Sequence, residues 1–332
     1  MRLLILTQVV DSTDPVLGFF HRWLEELAPR YERIEVICLR EGVHALPENV
    51  RVHSLGKEGG RSRVKYVSNF YRYLFTLRYD KVFVHMNEEY VLLGGPFWRL
   101  MGKRVYFWRN YHAGTFRTTL AGALSTTVFC TSKHSYTAKF KNTILMPVGV
   151  DTERFYPDAH TPRVPGSILF LSGMWPSKRP EMLVEALALL AEEGIEFTAD
   201  FYGSPLPETE AYYESVRESA RSAGLGDRVR FHGGVPNDET PALYRGHAAF
   251  VNCSPSGMFD KTLFEAAASG CRVLASSKDF AELAGSDTYF DSVESLAARL
   301  RVALGEDSQP DSGELVSRHS LDALVEKLSE TL

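Results

Sequence analysis

The chain has 332 residues and a formal net charge of −5. That length accommodates two domains of ordinary size, each with its own hydrophobic core. The sequence shows no strongly basic block, so we expect no nucleic acid partner. The four cysteines are far apart and have no metal-binding spacing, which indicates buried thiols in a reducing cytoplasm.

No apolar run approaches the roughly 20 residues that a membrane-spanning helix needs. The opening MRLLILTQVV is followed by turn-forming residues and has no small-residue cleavage site. This pattern indicates a core strand and not a signal peptide. We therefore expect a cytoplasmic protein.

The chain begins with a strand over residues 2–9, a helix over residues 19–27 and a strand over residues 34–39. This β-α-β order is typical of a doubly wound parallel sheet. No G-x-G-x-x-G follows the first strand, which disfavours a dinucleotide-dependent oxidoreductase.

A helix is predicted over residues 62–77, where Val64, Val67, Tyr71 and Leu74 recur at helical spacing and basic residues fall on other faces. The simpler interpretation is a core-facing helix with a solvated basic side. The alternative is a basic, aromatic helix that rests on a membrane surface.

Polar residues follow three further strands, in KVFVHMNEEY, RVYFWRNYHAG and TTVFCTSKHS. The carboxyl ends of parallel strands line the ligand crevice of a doubly wound sheet. We therefore expect Asn87, Glu88, Asn110 and His112 at such a crevice. His112 is either a functional group there or an incidental loop histidine.

A segment rich in proline, glycine and aspartate, MPVGVDTERFYPDAHTPRVPG, precedes a new core strand, SILFLSG. We place a domain boundary there. The second half repeats the β-α-β order, so the predicted fold class is α/β, with two Rossmann-like doubly wound domains facing across a cleft. The domains are predicted at residues 1–150 and 151–317.

The most informative stretch is AAFVNCSPSGMFDKTLFEAAASGCRVLAS, residues 248–276. It predicts a strand, a loop, a helix that opens near Asp260 and a second strand. A loop that leads into a helix N-terminus favours an anionic ligand. Lys261 and Glu265 are four residues apart and share one helix face. A lysine beside a phosphate and a glutamate beside a diol would suit a nucleoside diphosphate. The alternative is that the two residues form only a solvated ion pair.

Several segments in order resemble the GT-B glycosyltransferases of the retaining glycosyltransferase family 4 group. They are VGVDTERFYP, ILFLSGMWPSKRPEMLVEAL, FHGGVPNDETPALYRGHAAFVNCSPS and FEAAASGCRVLAS. They are similar to that family's interdomain signature, its phosphate-binding strand-loop-helix, the segment leading to the donor site and the end of its glutamate-pair motif. The resemblance covers nearly the whole chain. It also implies that the last helix, residues 318–332, packs back on the first domain.

The resemblance implies specific roles for site residues. Lys178 would hold the donor diphosphate, and Glu265 would accept hydrogen bonds from the ribose hydroxyls. His112 would lie near the donor sugar and the acceptor. The implied catalytic residues are His112, Lys178 and Lys261. The implied acceptor-side residues are Asp14, Asn87, Glu88, Asn110 and His112. The implied donor-binding residues are Gly18, Gly173, Lys178, Arg179, Gly203, Gly233, Val235, Pro236, Asp260, Lys261, Thr262, Leu263 and Glu265.

Two positions depart from the family pattern. Gly173 stands where a phosphate-binding arginine is expected, and Gly257 stands where the first glutamate of the pair is expected. A lost cation would cost leaving-group stabilisation unless Arg179 or Lys261 replaced it. Asp260 would substitute for the missing glutamate by contacting hydroxyls of the donor sugar.

The implied function is a retaining hexosyltransferase, EC 2.4, that uses a nucleotide-diphosphate sugar in glycan, glycolipid or polysaccharide biosynthesis. The acceptor would be a sugar, a glycan or a lipid-linked molecule. No metal or other cofactor is expected, because lysines and helix termini can stabilise the diphosphate. Alternatives are a non-catalytic sugar-nucleotide-binding relative and a nucleotide-sugar 2-epimerase or phosphorylase on the same fold. The expected location is the cytoplasm, or the inner face of the membrane if the basic helix contacts lipid.

Overall fold

Two parallel sheets organise the chain in the computed structural model, which describes residues 1–14, 16–60, 62–257, 260–305 and 310–332. The chain divides into two compact units. Unit 1 contains Met1–Pro147 and Leu321–Leu332, and unit 2 contains Val148–Ser320. The first boundary lies three residues before the predicted one at 150, and the second lies three residues after the predicted end at 317.

Unit 1 is built on a seven-stranded parallel sheet of order β3-β2-β1-β4-β5-β6-β7. Its strands are β1 Arg2–Val10, β2 Arg33–Glu41, β3 Val50–Ser54, β4 Lys81–His85, β5 Arg104–Trp108, β6 Thr127–Cys130 and β7 Thr143–Leu145. Its first four helices are α1 Phe19–Leu27, α2 Arg63–Thr76, α3 Glu88–Leu100 and α4 Phe116–Leu124, with short 3-10 turns at Ala28–Arg30 and Tyr136–Lys139.

Unit 2 is built on a five-stranded parallel sheet of order β10-β9-β8-β11-β12. Its strands are β8 Val164–Leu171, β9 Thr198–Tyr202, β10 Val229–His232, β11 His247–Asn252 and β12 Arg272–Ala275. Its helices are α5 Pro180–Glu192, α6 Glu210–Ser222, α7 Thr240–Gly246, α8 Lys261–Ala268, α9 Lys278–Ala284, α10 Val293–Gly305 and α11 Gly313–Arg318. Short 3-10 turns lie at Pro176–Lys178, Pro207–Thr209 and Ser286–Thr288.

The first strand of each unit is buried on both faces. In β1, Leu3 and Ile5 belong to one hydrophobic core and Leu4 and Leu6 to another. This follows from the two-residue period of a strand, which sends alternate side chains to opposite faces. It explains why the central strands read as continuous apolar runs in the sequence.

The last helix, α12 Leu321–Thr331, completes the core of unit 1. Its residues Leu324 and Leu328 are fully buried and share a hydrophobic core with Phe20 and Trp23 of α1. An apolar stripe at three- and four-residue spacing produces this packing. Unit 1 is therefore formed from two separate parts of the chain.

Helix α2 faces the core as predicted, but with a different set of residues. Its buried residues are Asn69, Phe70 and Leu74, whereas Val64 is 79% exposed and Val67 is 39% exposed. The two valines were predicted to face the core, and this prediction is wrong because the buried stripe is rotated around the helix. Of the helices in the described residues, none is long and apolar enough to cross a bilayer.

We predict that Leu324→Ala destabilises unit 1 by about 2–5 kcal/mol, because it opens a cavity at a fully buried position. Urea unfolding followed by tryptophan fluorescence measures the change. Glu326→Ala, at an exposed position of the same helix, is the control and is expected to change stability by no more than about 0.5 kcal/mol. Equal effects of the two substitutions would contradict the packing of α12 in this core.

Candidate functional site

The two central strands of unit 2 define a switch point of the sheet. The chain continues from β8 towards β9 on one side and from β11 towards β12 on the other. Ligands of open parallel sheets bind beyond the carboxyl ends of the strands at such a point. The segment after β8 supplies Lys178, and the segment after β11 supplies Asp260. Lys178 Nζ donates to Asp260 Oδ2 at 2.6 Å, so the structure joins two residues that were predicted separately.

A polar network surrounds this ion pair. The Oγ of Ser254 donates to Asp260 Oδ2 at 2.5 Å, and the Nδ2 of Asn252 donates to the same oxygen at 3.1 Å. Asn252 Nδ2 also approaches Thr262 Oγ1 at 3.3 Å. We call Lys178, Asn252, Ser254, Asp260 and Thr262 the crevice network. Asn252 and Ser254 were missed from the sequence, although both are polar residues at the carboxyl end of a strand.

The ion pair lies largely out of solvent, with the side chains of Lys178 and Asp260 11% and 16% exposed. Burial alone would raise the pKa of the Asp260 carboxyl. The Lys178 ammonium and the hydrogen bonds from Lys178 and Ser254 outweigh burial and hold that pKa below its ordinary value. Asp260 is therefore ionised at neutral pH and holds Lys178 in place.

Arg179 joins the ends of the two strands next to the network. Its Nε donates to the Cys253 carbonyl oxygen at 2.6 Å, and its Nη2 donates to Ser276 Oγ at 2.6 Å. The residue has a left-handed backbone, with φ 51°. That conformation is costly for a residue with a side chain, and two charge-assisted hydrogen bonds offset the cost. Part of the guanidinium is thus already bound within the protein.

Lys261 and Glu265 lie on the first turns of α8. Glu265 is 4% exposed, and Tyr244 donates its hydroxyl to Glu265 Oε2 at 3.4 Å. Burial raises the pKa of Glu265, with Lys261 the strongest opposing influence. Burial lowers the pKa of Lys261 to about 8, against the attraction of Glu265 and Asp151. An ammonium of this kind gains from an added anion.

Two glycines of unit 2 have backbones that require glycine. Gly203 has φ 147°, and a Cβ there would lie 1.8 Å from the Ser172 carbonyl oxygen. Gly257 has φ 87°, and its N–H donates to Asp279 Oδ2 at 2.9 Å. A glutamate at position 257 would be strained in this conformation. Glycine at this position therefore suits the backbone that the structure shows there.

Two other predicted donor-binding residues, Gly173 and Leu263, lie in different surroundings. A Cβ on Gly173 would lie 1.9 Å from the Trp175 ring, so Trp175 occupies the space that a longer side chain would need. Leu263 is 1% exposed and packs in an apolar core, so its side chain is not available to a ligand. Its backbone N–H donates to the Asp260 carbonyl oxygen at 3.2 Å.

The predicted donor-binding residues Gly233, Val235 and Pro236 lie in the loop between β10 and α7. Gly233 and Pro236 are exposed, and Val235 is half-buried. The N–H of Gly203 donates to the Gly233 carbonyl oxygen at 3.2 Å, which joins this loop to the end of β9. The loop therefore starts at the same carboxyl edge of the sheet as the crevice network.

In unit 1, Asp14 and Gly18 shape the turn before α1. Asp14 Oδ1 accepts hydrogen bonds from the N–H groups of Val16 and Leu17 at 3.0 and 2.8 Å, and Arg40 binds its other oxygen. A Cβ on Gly18 would lie 2.6 Å from the Asp14 carbonyl oxygen. This contact alone explains the glycine.

Polar residues follow β4 as predicted, but they differ in exposure. Asn87 accepts a hydrogen bond from Gln8 Nε2 at 2.7 Å at the surface. Glu88 is only 8% exposed, and its carboxylate accepts from Thr118 Oγ1 at 2.7 Å and pairs with Arg109 at 3.5 Å. The buried carboxylate of Glu88 thus makes these contacts inside unit 1.

The polar residues after β5 are Asn110 and His112. Asn110 Oδ1 accepts from Ser135 Oγ at 2.9 Å, which links the loops after β5 and β6. His112 is exposed, with its ring 4.5 Å from that of Tyr111. His112 is thus a predicted acceptor-side residue whose side chain is exposed to solvent.

The chain is similar to known proteins in both sequence and structure. Residues 165–306 match the family model described as "Glycosyl transferases group 1". Over 147 residues the chain is 29% identical to the mannosylfructose-phosphate synthase of Agrobacterium fabrum, which covers 41% of this chain. The matched stretch spans about a third of that relative, 32% of its length.

Solved structures match the whole chain at low identity. Anabaena HepE in complex with UDP-glucose has a TM-score of 0.79 at 18% identity, with 100% of this chain and 99% of that chain covered. Sucrose-phosphate synthase from Thermosynechococcus elongatus has a TM-score of 0.81 at 17% identity, with 100% and 98% covered. WaaG, a glycosyltransferase involved in lipopolysaccharide biosynthesis, has a TM-score of 0.72 at 15% identity, with 99% of both chains covered.

These comparisons show the fold, and for residues 165–306 they also show similarity to the group 1 glycosyltransferases. The predicted fold class, two doubly wound α/β domains of the GT-B type, is confirmed. The matched residues contain the whole crevice network together with Lys261 and Glu265.

Proposed function

We propose that the chain is a retaining glycosyltransferase, EC 2.4, that moves a hexosyl group from a nucleoside-diphosphate sugar to an acceptor hydroxyl. The observation that carries the proposal is the ion pair that joins Lys178 to Asp260, directly before α8, whose first turns carry Lys261 and Glu265. All four lie within the residues that match the group 1 glycosyltransferase model. HepE, a structural relative, binds UDP-glucose, which supports a nucleotide-sugar donor.

The proposed reaction needs no carboxylate nucleophile. The acceptor oxygen would bond to the anomeric carbon on the face from which the diphosphate departs. The bond between that carbon and the phosphate oxygen breaks, and the departing oxygen takes the acceptor proton. Lys178, Lys261 and the N–H groups at the start of α8 would stabilise the charge that develops on the diphosphate. We propose that no metal is required, because these groups supply the positive charge.

The proposal extends to the other partners. Glu265 would hold the ribose hydroxyls, and His112 in unit 1 would polarise a sugar hydroxyl. The acceptor would be a sugar, a glycan or a lipid-linked molecule in glycan, glycolipid or polysaccharide synthesis. A lipid-linked acceptor would bring the enzyme to the inner face of a membrane. A panel of nucleotide sugars screened by thermal shift would identify the donor, because a ligand that binds only the folded state raises its stability.

A second candidate is a non-catalytic protein that binds sugar nucleotides. It is favoured by the carboxylate of Asp260, which already pairs with Lys178 at 2.6 Å. It is favoured also by Gly257, whose backbone does not suit the glutamate of the family pattern. Binding of a nucleotide sugar without hydrolysis, transfer or epimerisation across an acceptor panel would support this candidate.

We predict that Lys178→Ala lowers kcat at least 100-fold, because the leaving group loses a cation. The substitution also leaves Asp260 unpaired, which costs about 3 kcal/mol of stability. Lys178→Ala/Asp260→Ala is the control, since it removes the unpaired charge and restores stability without restoring turnover. Assays run in excess EDTA test the metal-free mechanism in parallel. Retained activity in Lys178→Ala would remove this lysine from the mechanism.

We predict that affinity for a nucleoside diphosphate falls as the pH rises from 7 to 9.5. The pKa of Lys261 in the free protein is about 8, so the ammonium is lost over this range while the phosphates remain ionised. Isothermal calorimetry at several pH values measures the change. Lys261→Arg is the matched control, because arginine stays charged throughout and its affinity should not vary with pH. A parallel decline in both proteins would contradict a contact between Lys261 and phosphate.

We predict that Asp260→Asn tightens binding of a free nucleoside diphosphate more than tenfold. A like charge within about 6 Å of a phosphate costs roughly 2–3 kcal/mol at an effective dielectric constant of about 20. The amide keeps the shape of the side chain and releases Lys178 from its ion pair. Affinity that is unchanged or weaker would mean that Asp260 helps to bind the ligand. Turnover of the nucleotide sugar by the native protein, assayed alongside, separates the two candidate functions.

A further inference from the structure

The net charge of −5 conceals an uneven distribution. Residues 59–150 contain 14 lysines and arginines against three acidic residues, a local net charge of +11. This corrects the expectation that the sequence has no basic block. Nearly all of the segment belongs to unit 1 and covers α2, α3 and α4. Unit 1 therefore has a strongly basic part on a protein that is acidic overall.

Exposed apolar side chains cluster in this basic part. Phe75 at the end of α2 is 58% exposed, and its ring lies 5.4 Å from that of Phe97 near the end of α3. Leu100 and Met101, one turn further along, are 85% and 40% exposed. Tyr71 joins the cluster, with its ring 5.5 Å from Phe97. Four apolar side chains are thus exposed where α2 and α3 end: Phe75, Phe97, Leu100 and Met101.

Basic side chains adjoin this cluster. Arg78 and Lys103 line a cavity of about 550 Å³ together with Phe75 and Met101. Lys103 Nζ donates to the Tyr79 carbonyl oxygen at 2.5 Å. Two acidic residues, Glu32 and Asp80, also line the cavity, and both bind Arg2. Arg2 pairs with Glu32 through its guanidinium at 2.8 Å and with Asp80 through its backbone N–H at 2.8 Å.

The cluster lies at the amino edge of the sheet of unit 1. Lys103 precedes β5 directly, and Asp80 precedes β4 directly. Asn87 and Asn110 follow the carboxyl ends of the same strands. A strand of five residues separates the two edges by about 15 Å. The cluster is therefore distinct from the edge where the acceptor is expected.

We propose that this region docks unit 1 on a bilayer that contains anionic phospholipid. The aromatic–basic surface, as we call it, consists of Phe75, Arg78, Phe97, Leu100, Met101 and Lys103. Aromatic and aliphatic side chains enter the boundary between headgroups and acyl chains, and basic side chains bind the lipid phosphates. An anionic membrane suits this surface because it satisfies both the apolar and the positive components. Nucleic acid would satisfy only the charge of Arg78 and Lys103 and would leave Leu100 in water.

The proposal refines the membrane contact proposed above, and it assigns the lipid to a surface away from the sugar chemistry. Docking here would hold the enzyme at the membrane whether or not its acceptor is a lipid. Because no residue of the surface belongs to the proposed catalytic or binding machinery, substitutions here leave turnover of a soluble acceptor unchanged. Failure of this proposal and failure of the sugar-transfer proposal are thus distinguishable.

The test is co-sedimentation of the full chain with vesicles, without donor or acceptor. We predict binding to phosphatidylcholine vesicles that contain about one third phosphatidylglycerol, and at least tenfold weaker binding to pure phosphatidylcholine. Phe75→Ser/Leu100→Ser should weaken binding about tenfold, because two exposed apolar side chains lose their insertion energy. Arg78→Glu/Arg99→Glu, in which Arg99 is the exposed basic residue next to Leu100 in the last turn of α3, should weaken it at least tenfold and reduce its dependence on salt.

Matched controls keep the proposal falsifiable. Phe116→Ser changes an 80% exposed aromatic residue at the start of α4, and Arg217→Glu/Arg221→Glu changes the net charge of unit 2 by the same amount. Both controls should bind vesicles like the native protein. Equal losses in the controls, or equal binding to neutral and anionic vesicles, would overturn the proposal. Tight binding of an RNA or DNA oligomer that the same variants abolish, without vesicle binding, would also overturn it.

Discussion

The ion pair between Lys178 and Asp260 is the interaction on which the crevice of unit 2 depends. It joins the segment after β8 to the start of α8, two parts of the chain that are 82 residues apart. A buried ion pair is stable only when further hydrogen bonds satisfy its charged groups. Asn252 and Ser254 donate these hydrogen bonds to Asp260. Arg179 reinforces the arrangement from the other side through Cys253 and Ser276. The edge of the sheet is thus fixed before any ligand arrives.

This arrangement changes the electrostatics of the site. Asp260 neutralises Lys178, and Arg179 is partly used by a carbonyl and a hydroxyl. Burial makes the positive charge of Lys261 costly and lowers its pKa to about 8, against the attraction of Glu265 and Asp151. A ligand with two phosphates would relieve that cost. The positive charges at this edge are thus paired with a carboxylate, bound by polar groups or made costly by burial.

Local pattern predicts much of the fold, whereas tertiary pairing does not follow from it. Helix α1 spans Phe19–Leu27 as predicted, since its apolar residues repeat at the helical period and a glycine precedes it. The shared face of Lys261 and Glu265 follows from their spacing. The pairing of Lys178 with Asp260 does not, because nothing local specifies a contact between distant segments. The amphipathic stripe of α2 was misassigned for a related reason: Val64 is apolar, but its side chain is largely exposed.

The placement of α12 in unit 1 has a consequence for how the protein is made. Unit 2 is one continuous segment, so all its residues leave the ribosome before the twelve residues from Leu321 to Leu332 do. The core around Phe20 and Trp23 stays open on one side until α12 arrives. Unit 1 is thus translated first but completes its fold last. During this interval its uncovered apolar surface is a natural target for chaperones.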